Sequence, residues 1–174
     1  MSDPRAEGPA LVWAGEPDAP VLFVLDPLSE GKHGEIPPTW AELTGDRRVA
    51  WCRLPVEGAR TEVEELLSDP DVLGSPIDLL ASGRITIDAL DMAARHAGTI
   101  RSVLIVDPDG DDGDRLHART AELGEAGVTV TVVARSVPGD RDRIGPPLPL
   151  GHPDVVAAVH RAVTELDAAA RGGV

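Results

Sequence analysis

The densest group of side chains that could bind a metal ion is the acidic stretch from Asp107 to Asp114, which reads DPDGDDGD. Closely spaced carboxylates supply the oxygen ligands that calcium prefers. A calcium loop between two helices needs Gly at its sixth position and Glu at its twelfth, where this chain has Asp112 and Ala118. We therefore predict a solvated acidic turn instead of a calcium site, with Asp114 as the N-cap of the helix that follows.

Other metal and cofactor motifs are missing from the sequence. The five histidines, at positions 33, 96, 117, 152 and 160, form no pair four residues apart and have no glutamate in metalloprotease spacing. We expect His96, His117 and His160 on solvated helix faces. Neither glycine-rich phosphate motif occurs, and Cys52 is the only cysteine. These observations predict no metal and no cofactor.

The composition excludes several classes of partner. A formal net charge of -14 opposes binding to nucleic acid, which needs a concentrated basic surface, and the scarcity of aromatic residues removes stacking platforms for bases. No run of 18 apolar residues occurs, and residues 1–9 resemble no secretory signal, so we expect neither membrane insertion nor secretion. A single cysteine fits a reducing compartment, and we predict a cytoplasmic protein.

The hydrophobic pattern alternates between short β-branched runs and longer segments of helical period. This alternation is typical of a parallel sheet covered by helices on both faces, so we predict a three-layer α/β sandwich with a mostly parallel sheet of about six strands. The predicted strands are Ala10–Ala14, at an edge, Val21–Leu25, Val49–Leu54, Ile77–Ala81, Val103–Val106 and Val128–Val133.

Four helices fill the gaps between these strands. Residues 61–68 form a short helix with Thr61 and Glu64 as a capping box, and residues 85–96 form a central helix that is apolar around much of its circumference. Helices over residues 114–125 and 153–170 should also cover the sheet, and the Pro- and Gly-rich stretch 137–151 should be an irregular surface loop. At 174 residues the chain fits one domain over 10–170, with a flexible segment at 1–9 and a tail at 171–174.

The segment PIDLLASGRITIDALDMAARHAGTIRSVLIVDP, from Pro76 to Pro108, resembles the strand, nucleophile elbow, helix and strand at the centre of the α/β-hydrolase family. AGEPDAPVLFVLDP resembles the strand that leads into the oxyanion loop of that family. GDRDRIGP and GHPDVVAAVHRAV resemble the loops that carry the catalytic acid and histidine. The resemblance covers nearly the whole chain and implies a hydrolase-like domain without a cap, since only a short turn follows Val106.

The elbow of the family has the form G-x-S-x-G, in which a strained turn presents the nucleophile. The matching turn here is Ala81-Ser82-Gly83-Arg84-Ile85, and alignment of the helix places Gly83 at the nucleophile position. Glycine tolerates the strained backbone but has no oxygen that could attack a substrate. If Ser82 were the nucleophile, two bulky residues, Leu80 and Arg84, would flank it where the tight turn needs small ones.

The remaining catalytic parts that the resemblance implies are also altered. Asp26-Pro27 stands where relatives commonly have His-Gly, and proline offers no N–H to an oxyanion while a nearby carboxylate opposes one. The acid maps to Asp142, with Asp140 as the competing choice. The base maps to His152, which could instead cap the helix that follows it.

Together these features predict an α/β-hydrolase-like protein without hydrolytic activity that acts by binding a small apolar or anionic ligand, or another protein. The expected ligand contacts, at the carboxyl ends of the strands, are Asp26, Leu28, Ser82 and Arg84, with Arg84 as the anchor for an anion. The alternative is a small esterase or thioesterase that uses Ser82, His152 and Asp142. A third reading is an interaction module that forms a homodimer through the edge strand at residues 10–14.

Overall fold

The computed structural model describes residues 4–31, 34–74, 76–136 and 147–172, and these contain a six-stranded sheet. Its strand order is β1-β3-β2-β4-β5-β6, and every neighbouring pair is parallel except β1 and β3. The predicted mostly parallel sheet of six strands is therefore confirmed. The strands are β1 Leu11–Ala14, β2 Val21–Asp26, β3 Arg48–Arg53, β4 Ile77–Ser82, β5 Ile100–Val106 and β6 Thr129–Ala134.

Helices cover both faces of the sheet, as predicted. Helices α1, α3 and α4 pack with one apolar cluster, whereas α5 packs with a second cluster on the opposite face, together with Trp40 and Leu43 from two short turns. The central helix is α3, in which six of the ten residues are buried, in agreement with its apolar pattern. The helices are α1 Ala59–Leu67, α2 Pro70–Leu73, α3 Thr86–Arg95, α4 Gly113–Glu125 and α5 Pro153–Gly172.

Two predicted helix starts are wrong. Helix α1 begins at Ala59 after Gly58, which has a φ of 80°, so Thr61 lies inside the helix and forms no capping box. The buried Ala59 and Val63 lie one turn apart and extend the apolar face toward the N-terminus. Helix α4 begins at Gly113 with Asp112 at the N-cap position, so Asp114 belongs to its first turn and does not cap it.

His96 does not lie on a solvated face, contrary to the prediction. It follows α3, its side chain is 13% exposed, and its Nε2 lies 2.5 Å from Oε2 of Glu64 on α1. Arg95 pairs with the other oxygen of the same carboxylate. Burial of Glu64 favours its neutral form, but the hydrogen bonds from Arg95 and His96 outweigh that effect and hold its pKa below the ordinary value of 4.5. The contact fastens α1 to the end of α3.

A buried ionic network lies near the amino ends of β4 and β5. Asp78 is completely buried and accepts hydrogen bonds from Arg101 at 3.0 and 2.7 Å and from the Ser102 hydroxyl at 2.6 Å. Arg101 also donates to Asp167 of α5, which in turn pairs with the buried Arg47. The network joins α5 to the sheet, and each of its four charged groups has an oppositely charged partner.

Residues 4–9, which the sequence assigned to a flexible segment, contact the end of β3. Arg53 is 2% exposed, and its guanidinium donates hydrogen bonds to the carbonyls of Arg5, Glu7 and Pro9. Its Nε donates to the hydroxyl of Ser29, a non-glycine residue with a φ of 56°. A single buried arginine therefore connects the N-terminal segment, the sheet and the loop after β2.

Candidate functional site

The candidate site lies where the chain leaves β2 and β4 toward opposite faces of the sheet. These strands are parallel neighbours with Val24 opposite Leu80, so their last residues, Asp26 and Ser82, reach the same edge. After β2 the chain continues to the face that holds Trp40, and after β4 it continues to α3 on the other face. Such a point, where the strand order reverses, is the usual ligand crevice of an open α/β sheet.

Gly83 forms the bend between β4 and α3. Its φ of 58° lies in the left-handed region, which glycine adopts without steric cost, whereas Ser82 is extended at a φ of -139°. A 3-10 turn over Gly83–Ile85 leads into the helix, and the Thr86 hydroxyl donates to the Gly83 carbonyl at 2.7 Å. The residue with the elbow-like backbone is therefore Gly83 and not Ser82.

Pro147 covers this bend. A Cβ added to Gly83 would lie 3.2 Å from Cγ of Pro147, closer than an ordinary van der Waals contact. The segment before α5 thus occupies the space into which a side chain at position 83 would project. The chain therefore bends at a residue without a side chain, and a Cβ at this position would require Pro147 to shift by a few tenths of an ångström.

Ser82 and His152 are not joined by a hydrogen bond in the described part of the chain. Ser82 is 3% exposed as the last residue of β4. The Nδ1 atom of His152 accepts a hydrogen bond from the Asp154 N–H at 3.1 Å, and its carbonyl accepts from Val155 and Val156. His152 therefore caps α5, the role that the sequence left open for it. Asp142 and its competitor Asp140 lie outside the described residues.

The carboxylate of Asp26 is fully used inside the protein. Asp26 has no exposed surface, and it accepts hydrogen bonds from Trp51 Nε1 at 2.7 Å, Leu28 N at 3.1 Å and Gly31 N at 3.2 Å. Asp26 was predicted to contact a ligand, but in this structure its carboxylate is buried and bound inside the protein. Backbone N–H groups of the loop after β2, which could otherwise face a developing oxyanion, instead point at a carboxylate.

Two further carboxylates, neither of which the sequence predicted as a ligand contact, hold the segment before α5. Glu30 accepts from the N–H groups of Leu150 and Gly151 at 2.9 and 3.3 Å. Asp107, with a φ of 43°, accepts from Ser136 and, at 2.7 Å, from Leu148 N. Burial raises the pKa of Glu30, and the two N–H groups oppose that shift.

The other side of the same segment is also bound. Trp40 Nε1 donates to the Leu150 carbonyl at 2.9 Å, and the Thr39 hydroxyl donates to the Gly151 carbonyl at 2.7 Å. Leu150 is 1% exposed, so this part of the predicted surface loop is buried. The partners stand more than 100 positions apart in the chain, and no local pattern in the sequence signals such contacts.

A groove of about 190 Å³ lies between α1 and α3, beside the elbow. Its apolar wall includes Leu25 and Leu54, at the carboxyl ends of β2 and β3, and Ile85 next to the bend. The exposed ion pair between Arg60 and Asp88, at 3.1 Å, joins the two helices at its rim. The residues that line the groove are Leu25, Leu54, Arg60, Glu64, Ile85, Asp88, Ala89, Asp91, Met92 and Arg95.

The two remaining predicted ligand contacts are accessible. Leu28 is 53% exposed. Arg84 is exposed in the first turn after β4 and, within the described residues, forms no hydrogen bond or ion pair. Both side chains are therefore available to a partner, whereas Asp26 and Ser82 are buried.

Comparisons of the chain with protein-family models, with curated proteins and with solved structures each found no match. Within the described ranges, no three His, Cys, Asp or Glu side chains lie together as a group that could hold a metal ion. Across the same residues, every helix is too short or too polar to cross a bilayer. The candidate site is therefore described from the structure of this chain and not from a relative.

Proposed function

We propose that this protein has an α/β-hydrolase-like fold and acts by binding a small apolar ligand, without hydrolysing it. The observation that carries the proposal is the bend at Gly83, which has the left-handed backbone of an elbow, no side chain, and Pro147 packed over it. Nucleophilic catalysis needs an oxygen or sulfur atom at that point and a base within reach of it.

The surroundings of the bend support the absence of hydrolysis. Asp26 places a carboxylate beside the position where an oxyanion would develop and binds the nearby N–H groups of Leu28 and Gly31. A negative charge there destabilises a second one, so a tetrahedral intermediate gains no stabilisation from this loop. Nδ1 of His152 accepts a hydrogen bond from the Asp154 N–H, so the proton of the neutral ring is on Nε2, and a ring in this tautomer takes no proton from Ser82.

The groove between α1 and α3 is the ligand site that we favour. Its volume of about 190 Å³ exceeds the dry apolar cavity of about 150 Å³ that binds benzene in another protein, so a compact ring-sized molecule would fit. Leu54, Ile85 and Met92 supply apolar contacts, and the charged side chains that line the groove are two arginines and three carboxylates. Because the carboxylates outnumber the arginines, the groove favours an uncharged, partly apolar ligand over an anion.

The absence of hydrolysis is tested with short-chain p-nitrophenyl esters and a fluorophosphonate probe, which labels activated serines. We expect no ester cleavage above the buffer rate and no labelling. Labelling that disappears in Ser82→Ala would refute the proposal and support the alternative hydrolase, which uses Ser82, His152 and Asp142. Cys52 does not confuse the readout, because burial raises its pKa to about 12 and keeps the thiol protonated.

Ligand binding is tested by NMR titration of the full chain with indole as a probe. We expect shift changes at groove residues in the wild type and their loss in Ile85→Trp, which fills the groove from a half-buried position. Val72→Trp adds the same ring at a residue that is 59% exposed and outside the groove, and should leave binding unchanged. Equal binding by both variants would rule out this groove as the site.

A further inference from the structure

Strand β6 ends the sheet with a long run of uncharged residues. No strand of the described residues pairs with its outer side, and the run from Ala126 to Ala134, AGVTVTVVA, contains no charged residue. Thr129 and Thr131 are exposed and the other four residues of the strand are half-buried. Edge strands are usually protected from pairing with other chains by charged side chains, by proline or by being very short. Strand β6 has none of these features.

The opposite edge has such protection. Strand β1 has four residues, follows Pro9, and its Trp13 is covered by the Arg48 guanidinium 4.3 Å from the ring centroid. Leu11 is only 8% exposed. A Leu11→Lys substitution in β1 would therefore disturb the core, and a change in oligomeric state could not be assigned to the edge of the strand. Dimerisation through β1, which the sequence suggested, is therefore less favourable than pairing through β6.

We propose that β6 pairs with β6 of a second copy, antiparallel across a two-fold axis, so that two sheets join into one. Each copy carries a net charge of -14, and contact between most parts of two such surfaces brings like charges together. At the uncharged edge, two copies can meet without placing like charges in direct contact, although their long-range repulsion remains. A different, charged protein would find no side chain of opposite charge on β6 itself.

The local geometry allows the pairing over the first part of the strand. The register between β5 and β6 is regular from Thr129 to Val132, and an irregularity follows before Ala134. Ala162 of helix α5 packs with the same apolar cluster as Val133 and Ala134 of β6. A two-fold axis makes the interface self-complementary, because the same strand supplies both halves.

The test is the molar mass of the full chain, by sedimentation equilibrium, over a wide concentration range. We expect a dimer of twice 18.2 kDa that Thr131→Lys weakens about tenfold or more, since like charges then face each other near the axis. Thr131→Val keeps the β propensity and should remain dimeric. Thr164→Lys adds the same charge at an exposed position of α5 and serves as the charge control.

Salt provides a second readout. Because the proposed contact is uncharged and the two copies repel each other at long range, added salt should strengthen the dimer, whereas a contact made by ion pairs would weaken. The melting temperature of Thr131→Lys, an exposed position, should stay close to that of the wild type. A monomeric wild type at every concentration and salt level would overturn the proposal, as would a dimer that survives both Thr129→Lys and Thr131→Lys.

Discussion

Pro147 packs against Gly83 so closely that its Cγ lies 3.2 Å from the place where a Cβ would stand. This contact joins the segment before α5 to the bend between β4 and α3, and a side chain at position 83 would require Pro147 to shift by a few tenths of an ångström. The absence of a side chain at Gly83 permits this close approach.

We expect Gly83→Ser to lower the free energy of unfolding by about 1 to 2 kcal/mol, because a residue with a Cβ is strained at a φ of 58°. The variant should not cleave p-nitrophenyl esters, since His152 and the N–H groups of the loop are bound elsewhere. Denaturant titration and an ester assay measure both effects. Gly98→Ser, at an exposed glycine with open space around it, is the control. Ester cleavage by Gly83→Ser would mean that a base and oxyanion donors are in place after all.

Asp26→Asn should destabilise the fold by about 1 to 3 kcal/mol, because the amide cannot accept all three hydrogen bonds that the buried carboxylate receives. The fluorescence of Trp51, whose Nε1 donates to Asp26, should change as well, because its quenching depends on this contact. Tryptophan fluorescence during denaturant unfolding records both quantities. Asp18→Asn removes an equal charge at an exposed position and should have little effect. Equal stability of the two variants would contradict the structural role of Asp26.

Arg101→Met should cost about 3 to 5 kcal/mol, since it leaves the completely buried Asp78 without its cationic partner. The double variant Asp78→Leu with Arg101→Met should lose less than the sum of the single losses, because no uncompensated charge remains. Thermodynamic cycles from urea unfolding test this coupling. Arg115→Met breaks an exposed pair with Asp112 and should change stability by less than about 0.5 kcal/mol. Additive single effects would show that Asp78 and Arg101 do not act as a pair.

Glu64 should make the fold more stable at neutral than at acidic pH. Its pKa in the folded state lies below the ordinary 4.5, so the stabilisation is present above that value and is lost as the pH falls through the lower folded pKa. Glu64→Gln should therefore lower stability at neutral pH more than at a pH well below 4.5. Urea unfolding across this range gives the slope. Glu65→Gln, an exposed neighbour on the same helix, controls for the lost charge, and identical slopes for the two variants would contradict the assignment.

The α/β architecture could be predicted from the sequence because it depends on local patterns of apolar residues. Strands such as Val21–Asp26 are buried on both faces, and a parallel sheet therefore appears in the sequence as nearly continuous apolar runs. The starts of α1 and α4 were misplaced, since several residues near each start can cap a helix and burial decides between them. Gly83 was identified from the turn pattern, and the structure adds its left-handed backbone.

The amino-acid sequence alone determined the alternation of strands and helices, the negative net charge, and the glycine at the bend after β4, because these follow from composition and from neighbouring residues. Tertiary structure alone decided that Asp26 is buried beneath Trp51, that Glu30 and Asp107 hold the segment before α5, and that Pro147 covers Gly83. The residues that make these contacts lie between 25 and 121 positions apart in the sequence, and Gly83 and Pro147 lie 64 positions apart. Their formation depends on how the layers pack, and no local period in the chain encodes it.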